Sequence, residues 1–177
     1  LHRIVSSLAL SAGLPKPKVA VVESPVPNAF ATGRGPSNSV VAVTSGLMNA
    51  ISEDELEGVL SHEISHIKHR DVLVSTVAAT IAGAISYLAL VGRFGAYSSG
   101  SRNSNAAGVA LILSFLAPLA AFLVQTAVSR GREFGADSEG AALSKKPLSL
   151  ASALEKIERV ARSGAQIKTN PSTSPLW

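Results

Sequence analysis

The chain has 177 residues, a formal net charge of +4 and no cysteine. This length suffices for one domain with its own core, and the absence of cysteine excludes disulfides, thiolate metal sites and cysteine nucleophiles. Lys and Arg are scattered and aromatic residues make up 5% of the chain, which argues against nucleic-acid binding. Charged residues make up 16% of the chain against 46% hydrophobic residues, a low proportion for a soluble domain.

The first part of the chain predicts one helix and three short extended segments. Apolar residues recur with helical spacing over residues 1–12, and Gly13 and Pro15 end this helix. Val-rich runs at residues 18–23 and 39–44 predict two strands, and residues 28–32 predict a short extended edge within a Pro- and Gly-rich stretch. A small sheet in a mainly helical protein is therefore expected.

A helix with strong start signals follows and carries a motif typical of metal sites. Ser52 and Glu55 form a capping box at its start. The segment LSHEISHIKHRD (residues 60–71) places His62 and His66 four positions apart, so both imidazoles can reach one ion from the same helix face. Glu63 lies beside them, where a carboxylate can deprotonate a water at the metal. A third ligand is still required.

Two long uncharged segments follow, at residues 72–92 and 103–129. A helix needs about 20 residues to cross a bilayer core, and the Gly/Ser/Asn-rich residues 93–105 between the segments predict a loop. Small residues recur at Ser75, Ala79 and Gly83, as close packing of membrane helices favours, and Pro118 predicts a kink in the second helix. The alternative is a buried helical hairpin in a soluble protein. After the second segment, helices are predicted over residues 129–144 and 150–162.

His69 is a tempting third ligand, but the geometry of a helix argues against it. An ion midway between His62 and His66 lies about 3 Å along the helix axis from each of them, and about 7.5 Å from His69. A surface or interfacial position is therefore predicted for His69. The third ligand should come from another element.

Two carboxylates after the second uncharged segment are candidates for roles at the metal. Glu133 and Asp137 are four residues apart on one predicted helical face, whereas Glu139 points elsewhere. Glu133 could bind the metal while Asp137 accepts a hydrogen bond from a ligating imidazole. The alternative is that both carboxylates pair with Arg130 and Arg132 on a solvated face. Spacing alone leaves both alternatives open.

Three stretches together resemble the HtpX family of membrane zinc metalloproteases, relatives of the eukaryotic prenyl-protein proteases. They are PNAFATG, VVAVTSGLMNAISEDELEGVLSHEISHIKHRD and SRGREFGADSEGA. The resemblance covers roughly residues 1–165 and implies a zincin-like fold. It also implies that His62, His66 and Glu133 are the ligands of one Zn²⁺ per chain, that Glu63 is the general base, and that Asp137 orients a ligating histidine.

The resemblance also implies a substrate-binding strand and a longer protein. Residues that would pair with the substrate backbone are Asn28, Ala29, Phe30 and Ala31. Ser61 stands where such proteins usually carry alanine. Family members have two further hydrophobic segments before this region. They also have a His- and Arg-containing segment after it, and no residue of this chain matches that later segment. We therefore expect a fragment of a longer protein, and the group that stabilises the oxyanion stays unassigned.

These observations predict an α+β, mainly helical zincin-like domain with a small edge-strand sheet. We predict two protease parts, residues 1–71 and 130–177, with a two-helix transmembrane hairpin at residues 72–129 inserted between them. The predicted function is a zinc endopeptidase, and the resemblance implies that it cleaves misfolded or damaged membrane proteins in a stress response. The alternative is a zinc-binding membrane scaffold without proteolytic activity. Polypeptide substrates and the lipid bilayer are the predicted partners.

The order of the motifs also predicts the topology. One zinc ion cannot be shared across a bilayer, so an even number of crossings must separate His66 from Glu133. By helical rise, the metal should lie within about 10 Å of the membrane surface. A multi-pass protein of the inner or plasma membrane is expected. Loops on the cytoplasmic side of a membrane carry an excess of Lys and Arg. Four such residues flank the side that carries the site, whereas the loop between the segments has two: Lys68, Arg70, Arg130 and Arg132, compared with Arg93 and Arg102. The site is therefore predicted on the cytoplasmic side.

Overall fold

A computed structural model describes residues 1–98 and 104–162. The elements, in chain order, are α1 (His2–Ser11), β1 (Lys18–Val22), β2 (Ala29–Gly33), a 3-10 turn (Pro36–Asn38), β3 (Ser39–Thr44), α2 (Ser45–Ala50), α3 (Glu53–His69), α4 (Asp71–Ser98), α5 (Ser104–Ser144) and α6 (Pro147–Arg162). The protein is thus mainly helical with one small sheet, as predicted.

Residue contacts divide the chain into two compact units. The first unit consists of Leu1–Val72 together with the chain from Phe134 onward, and the second is Leu73–Glu133. The second boundary falls inside α5, directly after Glu133. Each unit is described by itself below.

The sheet of the first unit has three strands in the order β1-β3-β2. β3 pairs in parallel with β1 and antiparallel with β2, with Ala29 opposite Val43. The central strand is the buried one, since Val41 and Val43 are fully shielded from solvent. β-branched valines suit such a position. In the described part of the chain, β2 therefore lies at one edge of the sheet.

α3 is the central helix of the first unit. Its start is fixed by the predicted capping box, in which Ser52 N–H donates to the Glu55 carboxylate over 2.8 Å and the Ser52 hydroxyl accepts from Glu55 N–H. Leu60 and Ile64 are fully buried, and α1, β2 and α6 all pack against this helix. The helix that carries the histidines is therefore held on several sides.

α3 ends in a tight break that leads directly into α4. Arg70 caps α3 in the left-handed conformation, with φ 57° and ψ 40°, and its N–H bonds back to the His66 and Ile67 carbonyls. Glycine usually occupies this position in such caps. The next residue, Asp71, already begins α4. The sequence pattern gives no sign of this break, because Arg70 is neither Gly nor Asn.

The predicted strands and helices are confirmed, with shifted ends. α6 begins at Pro147, three residues before the predicted start, as expected of a proline at a first helical position. α2 (Ser45–Ala50) is not predicted by the sequence pattern; it is capped by the Thr44 hydroxyl, which accepts from Leu47 N–H. The predicted loop at residues 93–105 is shorter than expected because α4 continues to Ser98. Residues 99–103 of this loop lie outside the described residues.

Among the described residues, one helical stretch is long and apolar enough to cross a membrane. It covers Asp71–Phe94, with a mean hydropathy of 1.9 and 0% of its most apolar window buried. This exposure argues against the alternative of a buried core helix. The second predicted crossing is helical as part of α5, but no second stretch of the described residues has the required length and hydropathy. The two-helix hairpin is therefore not shown and stays a prediction.

Candidate metal centre

The two motif histidines face each other through one pair of ring nitrogens. His62 and His66 lie one turn apart on α3, and their Nε2 atoms are 3.1 Å apart. The rings meet edge to face, with centroids 4.7 Å apart and an interplanar angle of 88°. Both Nε2 atoms therefore point to the same place beside the helix.

The other nitrogen of each ring contacts a carboxylate. Asp137 Oδ1 on α5 lies 2.9 Å from Nδ1 of His62, and Asp71 Oδ2 at the start of α4 lies 2.6 Å from Nδ1 of His66. A carboxylate that accepts a hydrogen bond from Nδ1–H favours the tautomer whose Nε2 lone pair is available to a metal. Asp71 lies at such a distance from His66. Asp137 lies at ion-pair distance from His62 but without hydrogen-bond geometry at Nδ1, and its role in orienting that ring stays a prediction.

Glu133 completes a group of three possible metal ligands. One carboxylate oxygen of Glu133 and one ring nitrogen of each of His62 and His66 all lie within 4.8 Å of one another. Zinc held tetrahedrally at about 2.0–2.1 Å from two imidazole nitrogens places those nitrogens about 3.3 Å apart. The observed 3.1 Å between the Nε2 atoms is close to that value. Two imidazoles and one carboxylate are also a donor set of catalytic zinc sites, so the residues fit this metal.

The remaining candidate residues are placed as follows. Glu63 is half-buried next to His62 on α3. His69 is exposed and does not belong to the ligand group found among the described residues, in agreement with the helical-rise argument. Glu139 pairs with Lys68 over 2.5 Å, and this hydrogen bond lowers the pKa of Glu139 from its ordinary value.

Glu133 and Asp137 are both exposed, as the alternative of a solvated face also expects. Asp137 contacts His62 and Glu133 belongs to the group of possible ligands. Their roles at a metal stay predictions.

The predicted substrate strand is an edge strand, as the sequence suggested, although it begins one residue later. Ala29, Phe30 and Ala31 belong to β2, which packs against α3. Asn28 precedes the strand and is tied to the end of β3: its N–H donates to the Thr44 hydroxyl over 2.8 Å, and its carbonyl accepts from Thr44 N–H over 2.9 Å. Substrate binding by these residues stays a prediction.

Sequence reasoning missed Asp71. Its side chain is 9% exposed and lies 2.6 Å from Nδ1 of His66, closer than Asp137 lies to His62 at 2.9 Å. A residue five positions after His66 would not face it in a continuous helix. The left-handed conformation of Arg70 changes the direction of the chain, so that the side chain of Asp71 faces His66. The sequence offers one weak signal, an acidic residue directly after a basic helix end.

Comparison with known proteins gives a family match over nearly the whole chain. The profile described as Peptidase family M48 matches residues 1–175. Protease HtpX homologs from Pyrococcus abyssi and Pyrococcus furiosus are each 54% identical to the chain over its full length, and one from Persephonella marina is 49% identical over 99% of it. The chain spans 62–63% of the length of these relatives. The predicted HtpX-family resemblance is confirmed.

The fold is shared with known structures. The crystal structure of S. mikatae Ste24p aligns with 96% of this chain and 44% of its own, with a TM-score of 0.59 and 21% sequence identity. This likeness supports the predicted zincin-like fold. The family is shown by the profile match over residues 1–175: the chain belongs to Peptidase family M48.

Proposed function

We propose that this chain carries the catalytic centre of a membrane-bound zinc endopeptidase. The observation that carries the proposal is the orientation of the two imidazoles, whose Nε2 atoms converge at 3.1 Å while a carboxylate contacts each Nδ1. At this distance the two Nε2 atoms share one hydrogen bond or ligate one cation, depending on the ring tautomers, and the carboxylate 2.6 Å from Nδ1 of His66 favours the ligating tautomer of that ring. Glu133 adds the negative third ligand.

In the proposed mechanism each residue has a separate role. His62, His66 and Glu133 would hold zinc, which when bound supplies Lewis-acid polarisation of the scissile carbonyl and acidifies water. Glu63 accepts a proton from the attacking water and later delivers it to the leaving amine. Asp137 and Asp71 keep the imidazole rings in the ligating orientation.

The substrate is proposed to bind along β2. An extended peptide can add to the open edge of β2 through main-chain hydrogen bonds. Residues Asn28 to Ala31 form the start of that edge, and β2 packs against the helix that carries His62 and Glu63. Such pairing recognises the main chain of the substrate rather than its side chains, which suits a protease that acts on misfolded or damaged proteins of varied sequence.

The proposed location is the inner or plasma membrane, with the site on the cytoplasmic side. Asp71–Phe94 is apolar and long enough to cross. Because ligands precede and follow residues 72–129, we propose a second crossing within α5. The sequence has no cysteine, so the topology can be tested directly: in intact cells carrying the full-length protein, Ser99→Cys should react with an impermeant thiol reagent from outside and Ser138→Cys should not. Labelling of both from the same face contradicts the hairpin.

The experiment that tests the activity uses the full-length protein, Glu63→Gln and a cleavable casein substrate. Glu63→Gln should retain zinc and lose hydrolysis, because an amide cannot act as the base and Glu63 ligates nothing in this proposal. Chelation should abolish cleavage by the unsubstituted protein, and added zinc should restore it. Zinc binding without any cleavage would instead support the membrane scaffold. Wild-type cleavage by Glu63→Gln would refute the assignment of the base.

A further inference from the structure

Gly140 on α5 lies directly against the backbone of α3. A Cβ atom at this position would be 3.0 Å from the backbone nitrogen of His62, 3.1 Å from its Cα and 3.3 Å from the carbonyl carbon of Ser61. These distances are shorter than ordinary van der Waals contact. The three atoms belong to the backbone of a helix and cannot move aside as the end of a side chain can.

Gly140 shares a face of α5 with a residue that contacts the candidate metal centre. Asp137 precedes it by three positions, which places the two on the same side of the helix. Asp137 contacts Nδ1 of His62 over 2.9 Å, and Gly140 abuts the backbone of that same histidine. The close backbone contact at Gly140 and the carboxylate–imidazole contact therefore involve the same residue of α3.

We propose that Gly140 is a positioning residue: its missing side chain sets the separation between α5 and α3 at which Asp137 reaches His62. The inference rests on the proposed zinc site. Gly140 itself contacts neither metal nor substrate in this proposal. The residue acts only through the distance at which it lets α5 lie against α3.

The size of the expected effect follows from the contact distances. Carbon atoms prefer separations of about 3.5–4.0 Å, so a methyl group at residue 140 should move α5 away from His62 by about half an ångström. The separation between Asp137 Oδ1 and Nδ1 of His62 would then approach 3.4 Å, which weakens the attraction between the carboxylate and the imidazole. Loss of such a supporting group typically costs about 10–100-fold in metal affinity. A partial displacement should therefore weaken zinc binding about 3–10-fold.

The test compares two glycine-to-alanine substitutions in the same helix. Gly135→Ala is the matched control, because its new methyl group would meet only Cε1 of His69, at an ordinary 4.0 Å. Both substitutions raise helix propensity equally. In the full-length protein, Gly140→Ala should weaken zinc binding, measured by competition with a chelator, and should shift the visible absorption bands of bound Co²⁺. Gly135→Ala should do neither.

A double-mutant cycle separates positioning from a general loss of stability. If Gly140 acts through Asp137, then Gly140→Ala should cost little additional zinc affinity in an Asp137→Asn background. Equal costs in both backgrounds, or a Gly140→Ala protein with wild-type affinity and Co²⁺ spectrum, would overturn the inference. The Co²⁺ spectrum reports only metal-loaded protein, so it remains informative if part of the variant misfolds. Absence of zinc from the unsubstituted protein would refute the proposed function itself.

Discussion

Replacing Asp71 with asparagine tests whether the carboxylate at the start of α4 supports the metal site. The substitution keeps the shape of the side chain and removes its charge. Asp71 Oδ2 lies 2.6 Å from Nδ1 of His66, and the side chain is 9% exposed. Solvent therefore screens this contact little, and water cannot easily replace it.

The expected magnitude comes from the energetics of hydrogen bonds to charged groups. Such bonds contribute about 1.5–3 kcal/mol. At about 1.4 kcal/mol per tenfold change in an equilibrium constant, complete loss corresponds to roughly 10–100-fold weaker metal binding. An asparagine carbonyl can still accept from Nδ1–H, so the lower half of this range is expected. Zinc affinity of Asp71→Asn should fall about 10–30-fold.

The assay is zinc competition with a chromogenic chelator on the full-length protein, with Asp54→Asn as control. Asp54 lies at the exposed start of α3, the helix that carries His66. Its carboxylate accepts a hydrogen bond from Lys146 over 2.7 Å, and its side chain is 70% exposed. Its substitution should leave zinc affinity unchanged. Unfolding is followed in parallel, because Asp71 also lies in the first turn of α4 and its charge favours that helix end. Zinc affinity equal to that of the unsubstituted protein would refute the role given to Asp71.

Three further changes give separate expectations. Glu133→Ala should lower both zinc affinity and proteolysis, whereas Glu139→Ala should retain zinc; the opposite result would reassign the third ligand. Glu55 has its pKa lowered from 4.5 to about 2, chiefly by the hydrogen bond from Lys156, so its contribution to stability is full above pH 4.5 and is lost as the pH falls towards 2. The difference in unfolding temperature between the wild type and Glu55→Gln should shrink over that interval, and a pH-independent difference would contradict this. Gly58→Ala should destabilise the protein by about 1–3 kcal/mol in a denaturant titration, because its Cβ would lie 2.8 Å from the α6 backbone; unchanged stability would show that α6 can move away.

The features that could be predicted from the sequence are those encoded within a few residues. The capping box at Ser52 and Glu55 and the apolar spacing of α3 are local signals, and the structure confirms both. Two histidines four apart on such a helix must lie on one face. The Val-rich β3 was predicted with its observed bounds, since valine-rich runs favour buried strands.

The features that could not be predicted depend on contacts between distant residues or on unusual backbone. The residues around Glu133 do not show whether it is a metal ligand or a solvated glutamate. Its position near the histidines depends on how α5 lies relative to α3, and these two helices are far apart in the sequence. The contact of Asp71 with His66 requires a left-handed arginine, which sequence statistics disfavour. The short helix α2 has no amphipathic repeat long enough to be recognised.

The two carboxylates that contact the histidines come from opposite directions along the chain. Asp71 follows α3 immediately and begins the stretch proposed to cross the membrane, whereas Asp137 returns on α5 after that whole region. Correct orientation of both rings therefore requires that α4 start where it does and that α5 come back against α3 at Gly140. The residues around such a site come from helices that precede and follow residues 72–129 in the sequence. Its zinc affinity should consequently report whether residues 72–129 are correctly assembled as well as whether the ligands are present.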